Sequence, residues 1–396
     1  MRRTAFLLLA CTAILSGAAS GEGFSGSWRT GLFLTRPGVP DPSSRLILES
    51  PLRIMYRRTH GILDIEAALV MVPSIGNPAL EGSDFEAPGI FRLSDPRSII
   101  ASTSGDGTTV SIGQDIDRLS MGLRTSFATF TAGRQAIYWG VARSVSPTDF
   151  IAPFQFGAID TEYRQGVDAF RAVVPVGMLS EVDAGLALGE DADPGRNALW
   201  LRGRFYVLQS DATFLAARSR DNLLLGGSLN RTLGGGTGWI EAAVTDPGHF
   251  LEGVDENPYI CLSAGFDRSW FQATLYGYLE YHYSSPGAAG TADYEEVSGS
   301  AAVAGGGVYL LGRHYICPGL SWNPAPLWNV SASSLVNLMD CSGYVSLSGE
   351  YSAGQNTALQ CGCSLGLGKD TPAGGSPRSE FGSWPARFYI RIAHYF

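Results

Sequence analysis

Lysine is all but missing from this chain: Lys369 is the single lysine, and every other fixed cation is arginine. Charged residues amount to 16% of the 396, and the formal net charge is −9. No basic patch is available to neutralise phosphates, which excludes a nucleic-acid partner. Beyond the first twenty positions no run of about 18 apolar residues occurs, so no membrane-spanning helix is expected. The most apolar window, 167–189, is broken by Asp168, Arg171, Glu181 and Asp183. Cysteine is sparse too. Beyond position 20 the chain has Cys261, Cys317, Cys341, Cys361 and Cys363, an odd set that leaves at least one thiol unpaired within the chain. Cys361 and Cys363 suggest half of a metal site, but residues two apart share one face of a strand, here with Leu359, Leu365 and Leu367. No second pair and no histidine stands at ligand spacing, so neither a metal nor any cofactor is expected.

What is there begins with a basic Met1-Arg2-Arg3, an apolar stretch from Ala5 to Leu15, and small residues from Ser16 to Ser20. That order is a secretory signal peptide, cleaved after Ala19 or Ser20, which makes 1–20 the leader and 21–396 one mature domain. Leu8-Leu9-Ala10-Cys11 loosely fits a lipidation signal, against which stands the shortness of the apolar run before Cys11. Glycine is abundant, at 50 residues, and aromatics reach 11%. Little charge, much glycine and many aromatics without apolar helices suit strands that face lipid on one side and water on the other.

Segments of about ten residues do alternate apolar and polar positions. Leu63, Ile65, Ala67, Leu69 and Met71 oppose Asp64 and Glu66; Leu199, Leu201 and Phe205 oppose Arg202 and Arg204; Leu275, Leu279 and Tyr281 oppose Tyr276, Glu280 and His282. The alternation predicts strand cores near 26–34, 45–57, 62–72, 115–124, 128–137, 165–175, 180–189, 197–206, 210–218, 222–232, 237–246, 258–269, 271–283, 307–322, 325–337, 341–352, 356–367 and 386–396. Alternate connections are then short, at Arg58-Thr59, Val176 to Met178, Leu233 to Gly236, Pro324 and Ser352 to Gln355. The others include all the long ones, 73–114, 138–164, 247–257, 284–306 and 368–385. Sorting by parity, with both termini on the short side, is the signature of an all-β, transmembrane, antiparallel up-and-down barrel of about 18 strands. A soluble all-β protein would carry more Lys and Glu on its polar face and has no need of one-sided loops.

The last segment puts Phe388, Ile390, Ile392 and Phe396 on one face and Arg387, Tyr389 and Arg391 on the other. A terminal aromatic on an alternating final strand resembles the assembly signal of outer-membrane barrels. His394 departs from it, since an aromatic or apolar residue is usual there. Upstream, Gly133-Arg134-Gln135-Ala136-Ile137-Tyr138-Trp139-Gly140, then Ser146-Pro147-Thr148-Asp149 and Gly166-Val167-Asp168-Ala169, resembles porin-like barrels of the alginate-export type and related uncharacterised barrels, which carry a G-R-Q-x-x-x-W-G strand end. The resemblance covers about 40 residues closely and implies passage of a solute or polymer across the outer membrane, without naming which. It assigns no binding residues.

A barrel this wide is not filled by its own wall side chains, so a channel is expected, for diffusion or export of small polar solutes or saccharides. Selectivity would come from lumen charges: Arg118, Arg124, Arg134, Arg202, Arg204 and Arg231 as a basic ladder, with Asp64, Glu66, Glu181, Asp183, Glu241 and Glu280 as an acidic one. Alternatively these charges merely pair across strands. Tyr138 and Trp139 are placed in an interfacial girdle. Pro147, Pro153, Phe150, Phe154 and Phe156 make the 138–164 connection apolar enough to fold inward and constrict the pore. Two other classes compete. One is a non-conducting structural, adhesion or assembly barrel. The other is an embedded lipid hydrolase, for which His282-Tyr283-Ser284 offers a His-x-Ser without the asparagine that normally follows. An enzyme is not expected. The partners expected are outer-membrane lipid and the barrel-insertion machinery. Homo-oligomers are common among barrels of this design, although no face of the sequence marks one.

Overall fold

The computed structural model describes residues 23–36, 44–76, 91–95, 97–105, 107–152, 162–251, 257–372 and 375–396. The leader 1–20 lies outside them. The strands are β1 (Phe24–Arg36), β2 (Arg45–Glu49), β3 (Leu52–His60), β4 (Leu63–Gly76), β5 (Ser98–Thr103), β6 (Thr109–Arg124), β7 (Thr129–Gln135), β8 (Val167–Val176), β9 (Ser180–Ala187) and β10 (Ala198–Val207). They continue as β11 (Ser210–Ser219), β12 (Asn222–Leu233), β13 (Gly236–Asp246), β14 (Tyr259–Trp270), β15 (Leu275–Ser284), β16 (His314–Ala325), β17 (Trp328–Asn337), β18 (Gly343–Gly354), β19 (Thr357–Leu367) and β20 (Ala386–Tyr395). Neighbours pair antiparallel, and β20 returns to β1 from Ala386↔Arg36 to Tyr395↔Ser27, which closes the sheet. Closure removes every sheet edge that a bilayer could not satisfy.

Eighteen strands circle the barrel. β2 and β3 both pair with β1 and with β4, so together they form one strand, interrupted at Ser50-Pro51. Proline has no N–H to give the ladder, and the break falls where it sits. β5 pairs only with β6 and adds a hairpin on the long-loop side. That hairpin and the full length of β6 were not expected from the sequence. Two segments are shorter than their alternation suggests. Phe271, Gln272 and Ala273 have φ of 53, 56 and 66 and form a turn, so β15 starts at Leu275. Residues 307–313 precede β16 and form no strand. The other short turns lie within a few residues of their expected places, at Gly61-Ile62, Gly177 to Leu179, Gly234-Gly235, Pro326-Leu327 and Gln355-Asn356.

Period-two alternation sorts the side chains. The outward positions are hydrophobic all round the barrel: Ile65, Leu119, Met121, Phe170, Leu199, Leu201, Phe214, Ile240, Leu279, Leu347 and Ile390 are exposed on the outer face. Cys361 and Cys363 alternate with Gly362 on that face, beside Leu359. An apolar belt this continuous has a bilayer as its natural solvent. Inside, Val167, Ala169, Trp200, Leu215, Leu224 and Ala243 are buried against Phe91, Ile137, Trp139 and Ile151, which come from connections. A second cluster joins Val145, Leu310 and Phe381, from three connections, to Tyr315, Leu335 and Tyr344 of the wall. The interior is thus partly filled by loops, and the 136–166 connection supplies most of the filling.

Candidate pore constriction

The inward turn starts in the segment Gly133 to Gly140. Gly133 has φ of 107, and a Cβ there would stand 2.3 Å from the Leu119 carbonyl oxygen. Arg134 grips Asp168 through Nε at 2.8 Å and Nη2 at 2.8 Å, and donates to the carbonyls of Ile116 and Ser94 at 2.9 Å each. Gln135 Nε2 donates to the Ala169 carbonyl at 3.1 Å. The chain then leaves the wall, and Trp139 drops into the lumen against Trp200 with ring centroids 5.3 Å apart. Gly140, with φ of 104, leaves room for the Ser146 hydroxyl, which a Cβ would meet at 2.0 Å.

Inward carboxylates then hold the connection to the wall. Asp183 accepts from Trp139 Nε1 at 3.3 Å, Trp200 Nε1 at 3.0 Å and Arg171 Nη2 at 2.7 Å. Glu241 accepts from the amides of Val141 at 2.7 Å, Ala142 at 3.0 Å and Thr148 at 2.9 Å, and from the hydroxyls of Ser146 and Thr148. Glu280 accepts from the amides of Arg143 at 2.6 Å, Ser144 at 3.1 Å and Val145 at 3.0 Å, and from Trp239 Nε1 at 3.0 Å. Both glutamates are fully buried. Charge-assisted bonds of this kind are the strong ones. On the return, the Gly166 amide donates to Asp117 at 2.8 Å, and Tyr163 lies beneath Arg53 and Arg29 at 4.2 and 5.6 Å. Glu162 pairs with Arg29 and accepts from Tyr395. The connection therefore touches β9 to β15 on its way out and β20, β1, β3 and β6 on its way back. It crosses the lumen.

Within the connection, Arg164 pairs with Asp149 and stacks on Tyr138 at 5.2 Å. Burial pushes the Asp149 carboxyl up to about 6, against the pull of Arg164 and the Trp139 amide and with the help of the Glu241 charge. In the 368–385 connection, which meets the first one at Val145 and Phe381, Glu380 accepts from the Leu311 amide at 2.7 Å, the Tyr315 hydroxyl at 2.6 Å and Asn337 Nδ2 at 2.7 Å. Burial raises its pKa despite those donors.

Asp64, Glu66, Arg118, Arg124, Glu181, Asp183, Arg202, Arg204, Glu241 and Glu280 all alternate with outward apolar residues and point inward. They do not form two separate ladders. Arg124 pairs with Asp64, Arg118 with Asp117, and Arg202 and Arg204 with Glu181. Two candidates are not in the lumen. Arg231 shares its face with Leu225, Leu229 and Leu233, which are exposed on the outer belt, because the clean alternation of β12 puts Asn230 inside instead. Arg134 stands opposite Asp168, on the face of β8 away from buried Val167 and Ala169, and segment 91–95 covers the pair. Trp139, expected in an outer girdle, is buried inside, since β7 ends at Gln135 and the chain turns inward before reaching it. Pro153, Phe154 and Phe156 lie outside the described residues. His282 also points inward, buried, with Nδ1 2.9 Å from Ser263 Oγ rather than on Ser284, a placement turned away from lipid. Sequence reasoning missed Arg29, Arg53 and Tyr163. The inward parity of the two arginines was readable; their meeting at Tyr163 depends on the return path of a loop. Asp117 turns inward as the extra residue of a bulge opposite Ala68 and Leu69, which the alternation from Leu119 onward does not show.

In three inward ion pairs the guanidinium stands further into water than its carboxylate, the reverse of Arg202 and Glu181. Side-chain exposure is 74% against 29% for Arg57 and Glu66, 58% against 31% for Arg124 and Asp64, and 38% against 9% for Arg143 and Asp267. The wall from β16 to β19 differs in kind. Besides Tyr315, Leu335 and Tyr344 of the apolar cluster, its inward residues include Ser321, Asn323, Asn329, Ser331, Ser348 and Gln360, with Glu350 the acidic exception, held by Gln360 Nε2.

Among solved structures, the chain superposes on Pseudomonas aeruginosa OpdK with vanillate at a TM-score of 0.54 and 10% identity, covering 95% of this chain and 99% of that one. The fold is that of an outer-membrane porin. Pseudomonas aeruginosa OprD gives 0.53 and 10% over 96% and 95%, and Acinetobacter baumannii OccAB1 gives 0.54 and 12% over 96% and 98%. At such identity the likeness to these porins is one of fold. No family model and no curated protein matches the chain.

Proposed function

We propose that the chain is an outer-membrane channel through which small polar solutes pass, anionic and hydroxylated ones favoured, and that its 136–166 connection sets the narrowest point. The observation that carries this reading is the crossing itself: a connection tied at Asp183, Glu241 and Glu280 on one side and at Asp117 and Arg29 on the other. Carboxylates occupied with backbone amides leave guanidinium groups facing water, which favours anions. The hydroxyl- and amide-lined wall from β16 to β19 offers donors and acceptors to a polyhydroxylated solute. The likeness in sequence to export-type barrels leaves the direction of flow, diffusion or export, within the same proposal. Export through the cleaved leader, outer-membrane placement, and recognition by the insertion machinery through Phe388, Ile390, Ile392 and Phe396 belong to it as well.

Swelling of proteoliposomes tests it. Solutes of sugar size, neutral and carboxylated, should enter faster than into protein-free vesicles, with the carboxylated one ahead of a size-matched amine. Vesicles that hold heat-modifiable barrel yet exclude all three would contradict it. A second reading, a non-conducting barrel, draws on Leu310 and Phe381, which reach into the interior and pack with Val145; the same experiment separates the two.

A further inference from the structure

The lumen arginines named above are paired, whereas Arg231 on β12 and Arg268 on β14 are exposed on the outer face with no hydrogen bond or ion pair among the described residues. Both lie at the short-turn end, next to an apolar belt, where an unpaired cation needs a partner. The strand between them, β13, opens with Gly236 and Gly238, which stand opposite Arg268 and Arg231. Neither glycine has a side chain to separate the two cations. A Cβ on Gly238 would stand 2.9 Å from Leu233 Cδ1, and one on Gly236 2.5 Å from Phe266 Cζ. Leu233 and Phe266 therefore lie over the bare backbone and make an apolar floor between the arginines, continued by the exposed Leu229 and Ile240 and bordered by Trp270.

We propose that Arg231 and Arg268 bind the phosphate of an anionic phospholipid, with an acyl chain lying along Leu233, Phe266, Leu229 and Ile240. Strands β12 and β14 are about 10 Å apart, twice the strand spacing, which two arginine side chains span from either side of one phosphate. Planar guanidinium groups match phosphate oxygens two by two. No carboxylate competes on this face: the outward residues of β12 to β14 at this end are Leu229, Arg231, Leu233, Gly236, Gly238, Ile240, Phe266, Arg268 and Trp270, while Asp267 points inward to Arg143. A free phosphate ion would use the arginines but not the floor. The site rests on the membrane reading above, since its ligand is a component of the bilayer.

The test is native mass spectrometry of the purified barrel in neutral detergent, titrated with phosphatidylglycerol or phosphatidylcholine, with insertion into vesicles of each lipid scored in parallel by heat modifiability. The wild type should retain phosphatidylglycerol with a preference on the order of tenfold. R231Q/R268Q should lose that preference and still insert. R58Q, which removes an outward arginine at the same end away from this floor, should keep it. Equal retention of both lipids by an inserted wild-type barrel, or equal loss of the preference in R58Q and R231Q/R268Q, overturns the site alone. Displacement of the lipid by millimolar inorganic phosphate overturns the lipid assignment. A barrel that enters neither kind of vesicle overturns the membrane reading and the site with it.

Discussion

Glu241 and Glu280 each hold three backbone amides in a place closed to bulk water, and a shorter or apolar side chain leaves those donors without partners. Such bonds to a charged group contribute about 1.5–3 kcal/mol each, and abandoned donors cost about as much again. Glu280→Ala is therefore expected to release 143–145 from the wall while the belt keeps the barrel folded. Limited trypsin digestion should then cut at Arg143 at least tenfold faster than in the wild type; unchanged protection would argue that Glu241 and the apolar contacts suffice.

Asp149 adds a pH dependence with a definite sign. Its carboxyl ionises near 3.8 when undocked and near 6 when buried. Below about pH 4 it is protonated either way and exacts no penalty; above pH 6 it is ionised either way and the burial penalty is complete. Docking of the connection should tighten as pH falls from 7 toward 4, read as fewer brief closures in single-channel records, and D149N should flatten that dependence. Arg164, Glu241 and Tyr309 are the charged and titratable groups around Asp149; all three, like Glu380 in another connection, are left unaltered in D149N, so a dependence that survives in that variant does not come from Asp149. At this scale the sequence was readable only in part. Alternation correctly turned Glu241 and Glu280 inward, but their burial depends on where a distant loop lies. Arg134 and Arg231 were assigned to the lumen by charge, against the alternation of their own strands, which sets Arg134 on the face of Phe130 and Ala132 and Arg231 on that of Leu229 and Leu233.

The strands were more legible than their ends. A ten-residue alternation fixes a face, whereas a turn can slide by two or three residues at little cost, as at Gly61-Ile62 and Pro326-Leu327. Phe271 to Ala273 continue the alternation of β15 in sequence yet form its turn. β5 escaped notice because six residues in a long connection carry too weak a pattern. The closing strand gives a direct check at this scale. Phe388, Ile390 and Ile392 are exposed on the outer face, and Phe396 exchanges backbone hydrogen bonds with Gly26 at 2.8 and 3.0 Å. An arginine at mid-belt on a barrel costs about 2–4 kcal/mol, so Ile390→Arg should lower the unfolding free energy of the vesicle-inserted barrel, extrapolated from urea titration, by that amount, whereas Ser348→Arg, facing the lumen, should not. Equal shifts in the two variants would mean that the faces are misassigned.

For the molecule as a whole, parity of loop lengths was the decisive signal, because it depends on the ring of strands and not on any single boundary. What it leaves open is the contents of the ring. Wall and loop together make an interior in which Arg57, Arg124 and Arg143 stand further into water than the carboxylates they pair with, and hydroxyls and amides of β16 to β19 add to the lining. The claim that these form a water-filled, anion-favouring path narrowed by the 136–166 connection is tested most directly by planar-bilayer recording of the refolded protein under a salt gradient. Discrete current steps with a reversal potential of anion-selective sign are expected. Heat-modifiable barrel that enters the bilayer and passes no current, or passes cations in preference, would contradict it.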